Sequence, residues 1–254
     1  MRVLFIGDIY GKPGRRIASS VIPQVRKEEL IDFVIANAEN AAGGFGLTIP
    51  ILHKLEKYGI DCITSGNHIW DRKEIIPNLD SFPSILRPAN YPESAPGRGA
   101  QIFTILGARV GVINLAGKSF MPQVDCPFRT AIKEIEKLDT RVIIVDFHAE
   151  KGFEKKALAI WLDGKVSAVL GSHTHIQTAD EQILPSGTAY ITDVGMTGPL
   201  DSVIGVVPDK SIKYFTHRIP QRFDTADKNE HLHSVILDID EISGKTTAIK
   251  RITI

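Results

Sequence analysis

The stretch Val166-Ser167-Ala168-Val169-Leu170-Gly171-Ser172-His173-Thr174-His175 decides how the rest of the chain is read. An apolar run of strand character empties into a loop that carries two imidazoles two residues apart. Neighbouring side chains in a regular strand alternate between faces, but a loop lifts that rule, so both rings are free to turn toward one point. Two histidines aimed at one point suggest a metal ion. An HxH triplet alone is a weak signal, and its weight comes from the segments around it.

Four other apolar runs end in the same way. Val3–Ile6 precedes Gly7-Asp8, Phe33–Ala36 precedes Asn37-Ala38-Glu39-Asn40, Ile60–Ile63 precedes Ser65-Gly66-Asn67-His68, and Val142–Val145 precedes Asp146-Phe147-His148. Between them lie segments with helical period: one beginning near Pro13, then Thr48–Tyr58 with Thr48 as N-cap and Gly59 as stop, Phe128–Leu138 and Glu154–Leu162. Continuous apolar strands covered by helices belong to mostly parallel sheets, which bind ligands beyond the carboxyl ends of their strands. The five polar clusters are therefore expected on one rim. Hairpin signatures accompany them, at Ala100–Leu106 with Val110–Leu115, Gln182–Leu184 with Thr188–Thr192, and Ser234–Ile239 with Thr246–Ile254. The expected fold class is α/β with α+β character: two mixed β-sheets packed face to face and flanked by helices. The stretch Gly198–Lys228 has little periodicity and reads as a long excursion serving as a lid or as a contact with a second copy of the chain.

A chain of 254 residues suits a single domain over 1–254. Lys plus Arg and Asp plus Glu both number 30, a formal net charge of zero. No global field exists to hold nucleic acid or an anionic membrane, so a charged small-molecule substrate has to be recognised locally. The sequence contains neither a signal h-region nor a membrane span, and a cytoplasmic location is expected. Cys62 and Cys126 are too few for a disulfide framework, and Cys62 reads as a small buried hydrophobe.

The rim collects Asp8, Glu39, Asn40, Asn67, His68, His148, His173 and His175. Carboxylate, amide and imidazole without thiolate suit borderline to hard divalent ions such as Mn, Fe, Zn or Mg. One zinc needs three or four ligands; this surplus points to two ions about 3.5–4 Å apart, the arrangement that serves phosphoryl transfer. Each residue also has a plainer reading. Asp8 would cap the helix near Pro13, Glu39-Asn40 would be a solvated turn, Asn67 and His68 would stabilise a loop, and His148 would be a satisfied core histidine. Lys12, Arg15 and Arg16 are either phosphate contacts or a solvated helix face, and Trp70, Phe45 and Phe147 either stack a base or fill the core. His53, His217, His231 and His233 lack a strand-end setting.

The order Gly7-Asp8, a strand-end acid, Gly66-Asn67-His68, a strand-end histidine and Gly171-Ser172-His173-Thr174-His175 resembles the calcineurin-like metallophosphoesterases over most of the chain. Gly7–Arg15, Asn37–Gly44 and Ser65–Asp71 resemble the bacterial YmdB-like branch, which is associated with 2′,3′-cyclic-nucleotide phosphodiesterase activity. The resemblance implies a four-layer α/β/β/α sandwich. It implies Asp8 and His175 on a first metal, Asn67, His148 and His173 on a second, and an acidic bridge, here Glu39. The superfamily pattern has aspartate at the bridge and a histidine two positions after the first aspartate; this chain has Glu39 and Tyr10. Asn40 is read as supplying the missing ligand through its amide oxygen, which favours Fe or Mn, with Mg or Zn as the other choices. His68 corresponds to the non-ligand histidine that assists the leaving oxygen. The implied reaction is attack of a metal-bridging hydroxide on the phosphorus of a small phosphodiester. A phosphoprotein phosphatase or a nuclease on the same centre, and a metal-dependent nucleotide-binding regulatory protein with little turnover, are the alternative readings.

Overall fold

In the computed structural model, which describes residues 1–254, the first apolar run becomes β1 (Arg2–Ile6), and its side chains divide between two cores. Leu4 and Ile6 face one way and Val3 and Phe5 the other, and all four are fully buried. A strand covered on both faces has no polar face to alternate with, which is why this run is unbroken. Along the chain follow β2 (Asp8–Ile9), α1 (Gly11–Glu28), β3 (Phe33–Asn37), α2 (Ile49–Lys57), β4 (Cys62–Thr64), β5 (Ala100–Ile105), β6 (Ala108–Ala116), α3 (Pro127–Lys137), β7 (Val142–His148), α4 (Gly152–Trp161) and β8 (Ala168–Ser172). The chain ends with β9 (Gln182–Ile183), β10 (Ala189–Ile191), β11 (Met196–Pro199), α5 (Pro208–His217), β12 (Glu230–His231), β13 (His233–Ile239) and β14 (Thr246–Thr253).

Two mixed sheets form the centre. The first has the order β14-β13-β1-β3-β4 with β1, β3 and β4 parallel, and the second has β5-β6-β7-β8-β10-β9 with β6, β7, β8 and β10 parallel. The three expected hairpins are present as the antiparallel pairs β5–β6, β9–β10 and β13–β14. Val3, Phe5, Phe33 and Ile35 of the first sheet meet Val110, Val112, Ile144 and Leu170 of the second in one shared core. On the outer face of the first sheet Leu4, Ile6, Val34 and Ala36 pack on Ile22 and Val25 of α1 and Leu52 and Leu55 of α2. On the outer face of the second, Ile113, Val145 and Val169 pack on Ala131 of α3 and Leu158 and Ala159 of α4. The layers are thus α/β/β/α. Cys62 is buried in the intersheet core, as its apolar neighbours imply. No helix is long and apolar enough to cross a membrane.

Three features depart from the sequence reading. A third, small sheet of order β12-β11-β2 lies beside the main pair, and strands this short leave no periodic trace. Asp8 does not cap α1: it sits in β2, paired with Met196, and the residue at the N-cap is Tyr10. The excursion Gly198–Lys228 is not structureless, because it contains α5, which ends at Arg218 in left-handed conformation. Only Ser211 of α5 is buried, and Ile212 and Phe215 are exposed, so the helix has no core face for a periodicity argument to find.

Candidate metal centre

The carboxyl ends of β1, β3, β4, β7 and β8 bring Asp8, Glu39, Asn40, Asn67, His148, His173 and His175 together, with His68 beside them. Two groups of lone-pair atoms can be distinguished. In the first, His175 Nε2 lies 3.3 Å from Asn40 Oδ1 and 4.0 Å from Asp8 Oδ1. His175 Nδ1–H donates to the Ile204 carbonyl at 3.0 Å, so its proton sits on Nδ1 and Nε2 keeps a lone pair. Asn40 Nδ2 donates to the Gly44 carbonyl at 2.9 Å, which turns its oxygen toward His175. Asp8 Oδ1 is buried with no hydrogen-bond partner. Three acceptors facing one another, one of them an orphaned carboxylate oxygen, call for a cation.

In the second group, His148 Nε2 lies 2.9 Å from Glu39 Oε1, 3.2 Å from Asn67 Oδ1 and 3.0 Å from His173 Nδ1. Glu39, His148 and His173 offer ligand atoms within 4.8 Å of one another. Glu39 Oε2 accepts the His68 backbone N–H at 2.8 Å, which fixes the carboxylate between the β3 and β4 ends. His148 is oriented from behind. Ser172 Oγ donates to Asp146 Oδ1 at 2.6 Å and therefore accepts from His148 Nδ1 at 3.0 Å, which leaves Nε2 to face the rim. Asn37 Nδ2 steadies Asp146 Oδ2 at 3.0 Å. Gly66 must lack a side chain, because a Cβ there would overlap the His148 ring.

The electrostatics follow from burial. Asp8 is pushed up to about 6 by desolvation, against the pull of His175 and His148. Glu39 is equally buried, yet the charge and hydrogen bond of His148, aided by His68, hold its carboxyl down at about 2. His148 is raised to about 9 because Glu39, Asp8 and Asp146 outweigh its own burial. His173 is lowered to about 3 by burial and by the neighbouring His148. The donor set, the orphaned Asp8 oxygen and the open lone pairs fit divalent metal ions.

His173 and His175 both adopt left-handed backbone, with φ of 100° and 65°. Such conformations cost about 1–3 kcal/mol each unless the surroundings impose them. Here a buried ion pair does so. Lys155 Nζ, on α4, donates at 2.7 Å both to Asp193 Oδ2 and to the Ser172 carbonyl, and Asp193 Oδ2 accepts the Thr174 backbone N–H at 3.0 Å. His173 N–H reaches Asp8 Oδ2 at 3.2 Å. The loop is pinned on both flanks and in its middle.

A cavity of about 520 Å³ opens beside the centre. Its lining combines Glu39, Asn40, His68, His173 and His175 with Phe45, Val203, Ile204, Tyr214, Phe215 and Phe223. His68 Nδ1 is 2.8 Å from Asp71 Oδ2, and its ring stands edge-on to Phe45 at 5.0 Å. Of the aromatic residues weighed as base contacts, only Phe45 lines this cavity; Phe147 is in the core and Trp70 packs on Tyr91. Lys12, Arg15 and Arg16 line a different depression, where Arg15 donates to the Ala41 carbonyl and Arg16 pairs with Glu230. Sequence reading missed Asn37, Asp146, Ser172, Lys155 and Asp193. Asn37, Asp146 and Ser172 stand in the polar clusters that end β3, β7 and β8, whereas Lys155 and Asp193 carried no signal beyond their charge.

The YmdB-like protein family matches residues 4–252. The chain belongs to the YmdB-like family. A 2′,3′-cyclic-nucleotide 2′-phosphodiesterase of Bacillus subtilis (strain 168) is 47% identical over 256 residues, covering 100% of this chain and 97% of that protein. The crystal structure of a phosphatase from Mycoplasma pneumoniae, described as novel, matches with a TM-score of 0.95 at 36% identity, covering 100% of this chain and 93% of that one. A 5′-nucleotidase from Candida albicans SC5314 shares the fold, with a TM-score of 0.54 at 14% identity over 99% of this chain and 50% of its own.

Breaking the Lys155–Asp193 pair should be costly, because both side chains are fully buried. Lys155→Met is expected to lower unfolding free energy in urea by about 3–5 kcal/mol, and Lys155→Met/Asp193→Leu to recover part of it by removing the stranded charge. A loss below about 1 kcal/mol in the single variant would contradict the clamp.

Proposed function

We propose that this YmdB-like chain is a metal-dependent phosphoric diester hydrolase acting on small phosphodiesters, with 2′,3′-cyclic nucleotides as the favoured substrates. The observation that carries the reading is the pair of lone-pair groups, one at the buried Asp8 oxygen that has no hydrogen-bond partner and one at His148. Asp8, Asn40 and His175 are assigned to one ion, Asn67, His148 and His173 to the other, and Glu39 to both. The activity named for the Bacillus subtilis relative supports the substrate class. With Tyr10 where the superfamily has a histidine ligand, the first site is richer in oxygen, which favours Mn or Fe over Zn. Tyr10 itself is pushed up to about 12 by burial.

A pair of divalent ions supplies a nucleophile at neutral pH and positive charge for the phosphoryl oxygens. The chain's own residues do the rest. His148 and His175 present Nε2 because Ser172 and the Ile204 carbonyl hold the opposite nitrogens. His68 lies on the cavity wall with Nδ1–H given to Asp71, so in the doubly protonated ring Nε2–H is the donor available to the ester oxygen that departs. A proton delivered there converts a poor alkoxide into an alcohol, the role for which an imidazole is suited. Opening a 2′,3′-cyclic phosphate by cleavage of its 2′ bond places that proton on the 2′ oxygen and leaves a 3′-phosphate.

Protein stripped of metal and reloaded with Mn²⁺ is expected to convert 2′,3′-cyclic AMP mainly to 3′-AMP, resolved chromatographically from 2′-AMP. His68→Ala should reduce the rate about 10²–10⁴-fold with its metal content intact. Metal loss in that variant would instead make His68 a ligand, and absence of product from the fully loaded wild type would remove cyclic nucleotides from the substrate class. Glu39→Gln should lose at least one ion per chain by elemental analysis; full metal content would defeat the bridge assignment.

A further inference from the structure

We propose that the segment containing α5 is a base-tolerant stacking wall that binds the nucleoside part of a substrate carrying a single phosphate; this rests on the diester hydrolase reading above. The cavity beside the centre is divided by chemistry. Its polar lining belongs to the rim, while its aliphatic and aromatic lining comes largely from Val203 to Phe223. Phe215 and Phe223 are 62% and 38% exposed, and both stand edge-on to Tyr214, at 5.4 and 5.8 Å. Apolar surface left open beside a charged centre is the arrangement of a ligand pocket, and its volume of about 520 Å³ is in the range of small-molecule sites.

Charge narrows the occupant. No lysine or arginine lines the cavity, although Glu39 and Glu150 do. A polyphosphate or a nucleic-acid backbone would bring further negative charges to a wall without cations, whereas such ligands are normally tracked by basic grooves. A ligand with one phosphate, neutralised at the centre, and a flat uncharged remainder meets no such penalty. Every nucleobase has a π face, so aromatic side chains recognise bases with little preference among them. Polar atoms able to read a base edge are sparse on this wall: Ser211 and the Tyr214 hydroxyl are the side chains of α5 that offer them.

The test compares 2′,3′-cyclic AMP and 2′,3′-cyclic UMP with ethylene phosphate, the five-membered cyclic diester that lacks ribose and base. In Phe215→Ala, and separately in Phe223→Ala, the ratio of kcat/KM for either cyclic nucleotide to that for ethylene phosphate should fall about tenfold, the effect of losing one aromatic stack. A second readout needs no turnover: 3′-AMP should bind both variants about tenfold more weakly than wild type by calorimetry. Unchanged ratios and unchanged 3′-AMP affinity would overturn the wall, as would a loss confined to one base. Wild type that binds 3′-AMP through the wall yet opens no cyclic nucleotide would instead refute the function proposed above.

Discussion

Two carboxylates, those of Asp8 in β2 and Glu39 just beyond β3, are buried against His148, and the rim is built around the cost of placing them there. An unpaired ion in a protein interior is penalised by several kcal/mol. His148 lies 2.9 Å from Glu39, but one Asp8 oxygen is left without a hydrogen-bond partner. That imbalance makes the rim a receptor for positive charge. The fold delivers it: parallel strands of two facing sheets end on one side, and their loops carry the polar side chains.

Holding donors that repel one another requires support from outside the group. Asp146, Ser172 and Asn37 set the orientation of His148 through hydrogen bonds that all lie in the interior. Lys155 and Asp193 pin the loop whose two histidines adopt left-handed backbone. The glycines near the rim answer the same crowding, and Gly66 leaves the only room in which the His148 ring can sit. Preorganisation of this kind keeps the donors close enough to take up a cation without rearrangement.

The first strands of both sheets were legible because an unbroken apolar run followed by polar residues has a simple physical cause: burial on both faces, then an exit at the rim. The hairpins were legible from their turns. The rim residues were found because each follows such a run, and the structure gathers every one of them. The short strands β2, β11 and β12 escaped because two to four residues carry no period. Helix α5 escaped for a different reason: its apolar residues face a cavity and solvent, so hydrophobic patterning tied to a core says nothing about them. Lys155 and Asp193 meet across 38 residues of sequence, and a long-range pair of this kind is invisible without the fold.

Anomalous diffraction from crystals of the Mn²⁺-loaded protein addresses the central claim most directly. Two peaks are expected, one contacted by Asp8, Asn40 and His175, the other by Asn67, His148 and His173, with Glu39 reaching both. A single peak, or peaks away from these side chains, would contradict the dinuclear centre on which the account rests.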